Sequence, residues 1–162
     1  MTRRLTTIAI LTSMSLTMFL LESMIPVPFL PPGAKLGLSN VIIVVALYIL
    51  PSALDALMIL SIRIFLSSMF AGSPMVILFA LSGGLLSFAT MFLLKKCGAF
   101  STIGISSAGG FVHNLGQLAI AVVLTNGIRL INYLPILGIC GILTGIMIGI
   151  ITDGIIQRLK IM

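Results

Sequence analysis

Eight polar side chains in this sequence stand among long apolar runs: Glu22, Lys35, Ser39, Asn40, Arg63, His113, Asn114 and Gln117. Arg63 lies near the centre of its run, where a charged group costs at least about 2.5–3.5 kcal/mol on membrane-insertion scales, so it must face the inside of a bundle. His113, Asn114 and Gln117 follow each other at helical spacings of three and four residues and share one side of a helix. Hydrocarbon offers these groups no hydrogen-bond partner, so neighbouring helices, water or a ligand must supply one. Glu22 has two candidate partners, Arg63 and Lys35. A purely structural ion pair is the alternative to ligand binding there. By depth, Glu22, Lys35, Ser39, Asn40, Arg63, Asn114 and Gln117 belong to the outer half or the middle of the predicted bundle. They are expected to line one cavity open to the outside. Two cations against one acid suit a small polar or anionic organic molecule, held by hydrogen bonds and charge. His113 has no second histidine or cysteine at ligand spacing, so neither a metal nor any other cofactor is expected.

The elements that must position these groups are transmembrane helices. Hydrophobic residues make up 59% of the chain and charged residues only 7%, far from the quarter or so that is charged in soluble domains. At about 20 apolar residues per span, the expected architecture is all-α. It is one membrane domain over residues 1–162 with six transmembrane helices, at about 5–25, 36–50, 53–71, 75–94, 103–125 and 133–156. Ser52 with Asp55 reads as a capping box. Ser73-Pro74 reads as an N-cap followed by a first-turn proline, and Pro135 fits the first turn of the last helix. Arg3 and Arg4 ahead of the first run raise the possibility of a signal peptide, but the run continues to Ile25 without an obvious small-residue cleavage site and is read as the first helix.

The formal charge of +6 does not indicate nucleic acid, because the basic residues are scattered between apolar runs. It indicates topology. With the amino terminus inside, Arg3, Arg4, Lys95, Lys96, Arg158 and Lys160 are cytoplasmic and only Lys35 and Arg129 are outside. Both termini are then cytoplasmic, and the proline-rich loop from Pro26 to Lys35 is an extracytoplasmic cover. The second run, Leu36 to Leu50, gives about 22 Å of helix against a hydrocarbon core of about 30 Å. Its amino end is therefore expected below the membrane surface, where free N–H groups and Lys35 attract an anionic substrate. The competing use of Lys35 is to snorkel to lipid phosphate. Asp55 is expected to act as a cap and Asp153 to face Arg158 or the lipid surface. Neither Cys97 nor Cys140 is expected in a disulfide. Ala9, Ser13 and Thr17, like Gly141, Gly145 and Gly149, form four-residue series of small residues that by default pack against helices of the same chain. For the first series the alternative is a groove for another protein's helix.

Four stretches carry a resemblance that covers nearly the whole chain: Pro32-Gly33-Ala34-Lys35-Leu36-Gly37-Leu38-Ser39-Asn40, Arg63, Ser82-Gly83-Gly84-Leu85-Leu86-Ser87 and His113-Asn114-Leu115-Gly116-Gln117. On these, the sequence resembles small six-helix bacterial membrane proteins labelled Gx transporter family or heptaprenyl diphosphate synthase component I. That family in turn looks like the substrate-binding (S) components of energy-coupling factor transporters. The resemblance implies capture of a vitamin-like micronutrient from outside, and docking on a transmembrane coupling subunit with two ATPases in a bacterial cytoplasmic membrane. It also implies partner coupling through an alanine-x-x-x-alanine motif at Ala9 and Ser13, with serine replacing the second alanine. The chain has no P-loop pattern and only two aspartates, far apart, so it is not expected to be an enzyme. The rival functions are a non-catalytic accessory subunit of prenyl diphosphate or quinone synthesis, a stand-alone secondary transporter or channel, and a structural adaptor.

Overall fold

A computed structural model describes residues 2–24, 37–71 and 74–161. The described residues form six α-helices: α1 (Thr2–Met24), α2 (Leu38–Ile49), α3 (Ala53–Ala71), α4 (Pro74–Cys97), α5 (Thr102–Thr125) and α6 (Leu134–Ile161). A 3-10 helix, Ile128–Tyr133, leads into α6. Five stretches are long and apolar enough to cross a membrane: Thr2–Met24, Ala53–Phe70, Ile77–Cys97, Thr102–Thr125 and Ile128–Leu159. The protein is therefore an all-helical, multi-pass membrane protein. The second predicted span is shorter than expected: α2 has 12 residues, about 18 Å of helix.

What α2 lacks in length it makes up in burial. Every residue from Val41 to Leu47 is buried, as expected of a helix that is apolar all round. It packs among α1, α3 and α6, and its Ile43, Val44 and Leu47 share the core with Ile59, Leu60 and Ile64 of α3 and Ile105 of α5. Its carboxyl end is closed by Lys95 of α4, whose Nζ donates to the Leu47 carbonyl at 2.6 Å and lies 4.8 Å from the centre of the Tyr48 ring. A cation there satisfies a terminal carbonyl and complements the helix dipole. The outward faces of the other helices carry large apolar side chains such as Leu54, Phe65, Met69 and Leu143, as lipid contact requires.

One acid differs from expectation, and a second has a partner besides those expected. Asp55 is not a cap; Ser52 Oγ instead accepts from the Leu54 N–H at 3.3 Å. Asp55 is fully buried and binds Arg4 of α1 through both carboxylate oxygens, at 2.8 and 2.5 Å. Arg4 is 51 residues away in the chain, which is why the local pattern suggested a cap. Asp153 accepts from Gln157 one turn on, at 2.7 Å.

The two small-residue series have opposite fates. Gly141, Gly145 and Gly149 lie against Gly110, Ser106 and Ile103 of α5 so closely that a Cβ at any of them would meet backbone. The Ala9, Ser13 and Thr17 series does not pack inside the molecule: all three residues are exposed on α1. The Ser13 and Thr17 hydroxyls donate to the Ala9 and Ser13 carbonyls at 2.9 Å each, so they demand nothing from outside the helix.

Candidate functional site

At the end of the bundle where α1, α3 and α5 finish and α2, α4 and α6 begin, the helices part around a cavity of about 600 Å³. That volume is within the usual range for small-molecule sites, roughly 300–1,000 Å³. The cavity lies toward the opposite end from Arg3, Arg4, Lys95, Lys96 and Arg158, which sit at the start of α1 and the ends of α4 and α6.

One wall comes from α1, α2 and α3. Glu22, 5% exposed, reaches from α1 to the start of α2. There its two carboxylate oxygens accept from the Gly37 and Leu38 N–H groups at 2.6 and 3.0 Å. A carboxylate across two backbone donors at a helix start is favourable both as hydrogen bonding and against the dipole. Gly37 has φ 77°, a conformation that glycine adopts freely. A side chain there would also press on Ile148 of α6 and on Asn40. One turn deeper, Arg63, 6% exposed, donates to Ser39 Oγ at 2.8 Å and to Asn40 Oδ1 at 3.1 Å, while its buried Nε has no partner among the described residues. Ser15 of α1 closes the wall by donating to the Ser39 carbonyl at 3.0 Å.

The facing wall is α5 with α6. His113, Asn114 and Gln117 all line the cavity. The His113 ring rests on Gly83 of α4, and Asn114 Nδ2 donates to the Leu137 carbonyl of α6 at 2.7 Å. The α4–α5 contact is tight because Gly83 and Gly116 face each other and Ser82 Oγ donates to the Gly116 carbonyl at 2.9 Å. The Ser82-to-Ser87 stretch thus sets the position of the α5 polar stripe.

The structure brings Glu22, Ser39, Asn40, Arg63, His113, Asn114 and Gln117 to one cavity. Lys35, with the rest of the proline-rich segment, lies outside the described residues. Glu22 forms no ion pair with Arg63; among the described residues the only ion pair is Arg4 with Asp55. Ala9 and Ser13 are remote from the cavity, on the exposed face of α1. Sequence reasoning missed the apolar lining, including Phe19, Phe79, Tyr133 and Ile148, and the one polar contribution of α6, Thr144. Phe19 is one turn before Glu22 and so shares its face; Thr144 is the first of two hydroxyl residues in its helix, the other being Thr152. Among the described residues no three His, Cys, Asp or Glu side chains are grouped to hold a metal.

Removing the Glu22 carboxylate should be costly. Glu22→Ala leaves two N–H groups at the start of α2 unpaired and is expected to lower stability by about 2–3 kcal/mol. Glu22→Gln should recover only part of this, because one of its two terminal atoms is a donor. Unfolding of the purified variants in detergent, followed by circular dichroism, checks the order alanine below glutamine below wild type.

Neither a curated protein nor a solved structure matches the chain. The model of one family, described as heptaprenyl diphosphate synthase component I, matches residues 11–155. That span holds every residue of the cavity lining, and the chain belongs to this family.

Proposed function

We propose that this protein is the substrate-capture subunit of an energy-coupling factor type importer, taking a small polar or anionic organic micronutrient from the extracytoplasmic side of a bacterial cytoplasmic membrane. The observation that carries the reading is the cavity itself: an apolar chamber of about 600 Å³ with Arg63, Asn40, Asn114 and Gln117 on its walls. It lies toward the end opposite most of the basic residues, and by the positive-inside rule that end faces outward, with both termini in the cytoplasm. Ser39, Glu22 and His113 belong to the same proposed site, and Lys35 is the residue proposed to attract the molecule as it enters.

The bundle has no P-loop pattern, so movement of the captured molecule is assigned to a transmembrane coupling subunit and two ATPase partners, and the chain itself is not an enzyme. The exposed strip of α1 at Ala9 and Ser13 supports docking of the coupling subunit: its hydroxyls are self-satisfied, and small side chains let another helix approach closely.

The experiment is mass spectrometry of small molecules released from the gently purified protein, beside an Arg63→Ala, Asn114→Ala double variant. The wild type is expected to carry a compound that the variant has lost. Recovery of lipid alone from both preparations overturns the capture reading.

A second reading is favoured by the family name, since a component I implies a further component of a prenyl diphosphate synthase. In that case the chain is a membrane accessory to a soluble enzyme. Asp55 and Asp153 are bound to Arg4 and Gln157 and lie away from the cavity, so the chain offers no aspartate pair to hold a magnesium diphosphate. Co-purification with an aspartate-rich synthase, and loss of that synthase's activity on deletion of this chain, distinguishes the two.

A further inference from the structure

The charge inventory of the cavity narrows what it can hold. Its described lining contains one cation, Arg63, and one acid, Glu22. Glu22 is committed: each oxygen is held by a backbone N–H at the start of α2, so its charge is balanced by that helix end. Arg63 has no carboxylate within ion-pair distance among the described residues, and the Glu22 charge acts on it only from further off. Arg63 meets only neutral oxygens, from Ser39 and Asn40, and its Nε meets none among the described residues. A guanidinium offers five N–H donors in a planar fork suited to two anionic oxygens. A cation this deeply buried with no ion-pair partner lacks compensation that an entering anion supplies.

Across the cavity, Gln117 forms no hydrogen bond with another described residue, and Asn114 uses its amide nitrogen on Leu137 while its oxygen is left over. The remaining surface is mostly apolar and includes the rings of Phe19, Phe79 and Tyr133.

Taking the capture reading as its basis, we infer that the captured molecule is a monoacid: one carboxylate against Arg63, carried on a flat, largely apolar body with a hydrogen-bonding edge for Asn114 and Gln117. A diphosphate does not suit the same walls. Among the described residues a single cation, Arg63, faces its several charges, with the Glu22 carboxylate on the same wall.

Matched probes test this on the full chain in lipid nanodiscs, with empty discs as the reference. The chain has no tryptophan, so its own emission is weak under naphthoate excitation, and the empty discs supply the scaffold background to be subtracted. Naphthoate is expected to bind saturably, and naphthamide, its neutral counterpart, to compete at least about tenfold more weakly, the scale of one charge-assisted contact. Geranyl diphosphate should displace naphthoate poorly. In Arg63→Gln the acid and the amide should become equivalent, whereas Arg63→Lys should keep part of the preference for the acid and shows that the site survives substitution.

Equal binding of acid and amide by the wild type, an acid preference that persists in Arg63→Gln, stronger displacement by geranyl diphosphate, or no saturable naphthoate binding each overturns the monoacid assignment. The capture reading fails separately, on the absence of any retained small molecule. A retained compound without an acid group removes the monoacid assignment and leaves capture standing.

Discussion

Arg63→Met should give a protein that folds at least as well as the wild type and no longer captures its substrate. The two halves of this expectation have the same cause. The guanidinium is buried against neutral acceptors, and its Nε has no partner among the described residues. Replacing such a buried charge by an apolar side chain of similar volume is commonly neutral or stabilising, by up to about 4 kcal/mol. On the proposed capture reading, the same group supplies the counter-charge to an anionic substrate. Losing one side of a buried charge pair costs about 2–5 kcal/mol, or roughly 30-fold to several thousand-fold in affinity. Melting temperature and retained small molecule, measured on the same preparation, are expected to move apart. A variant that unfolds at much lower temperature than the wild type would show Arg63 to be a structural strut instead.

Gly145→Val should be the most damaging single change outside the cavity. A Cβ at this position comes within 2.5 Å of the Ser106 carbonyl oxygen and 2.7 Å of the Ser107 Cα. Those atoms are backbone and cannot rotate aside, so α5 and α6 must separate. Overpacking of this kind costs typically 1–3 kcal/mol and occasionally more, and a backbone obstacle places the expected loss at about 3 kcal/mol. Gly141→Val should add a second effect, because its Cβ would sit 2.9 Å from Asn114 Nδ2 and disturb the bond to Leu137. Gly154→Ala is the control: nothing lies within 4 Å of its added carbon, so the better helix former should be neutral or mildly stabilising. Detergent-resistant melting of the three variants should rank Gly154→Ala above Gly141→Val and Gly145→Val.

How much of this the sequence could disclose depends on the range of the interaction. Helix positions follow from local hydropathy, and α3 runs over 53–71 as expected. The carboxyl end of α6 runs past Ile156 to Ile161, because Gln157, Arg158 and Lys160 are polar yet good helix formers, and a hydropathy boundary is not a helix boundary. The 3-10 turn before α6 left no mark strong enough to read. Depth and periodicity were enough to bring Arg63, Asn40, Asn114 and Gln117 to one chamber, since a buried polar group in a bilayer has few places to go. Partner identity was not legible. Glu22 was matched to a cation by charge, but its actual partners are two N–H groups of α2, and a backbone donor has no signature in a list of side chains. Asp55 failed in the same way through distance, its partner being in another helix. The outward turn of Ala9, Ser13 and Thr17 was also hidden, because small residues suit an internal and an external helix neighbour equally well.

The way the helices are joined also distributes stiffness. Helices α4, α5 and α6 meet backbone to backbone through glycines, while α1, α2 and α3 are tied by directional bonds among Ser15, Glu22, Ser39, Asn40 and Arg63. Between these two slabs Lys95 donates to the Leu47 carbonyl at the end away from the cavity; nearer the cavity the joins include side-chain hydrocarbon: Ile148 on Gly37, and Leu60 with Ile64 on Gly84. Such contacts have no preferred direction and slide more readily than hydrogen-bonded or interlocked ones. The cavity lies on that seam, with Arg63 on one slab and Asn114 and Gln117 on the other. On the capture reading a molecule spanning them is a splint, bracing the two slabs across that seam.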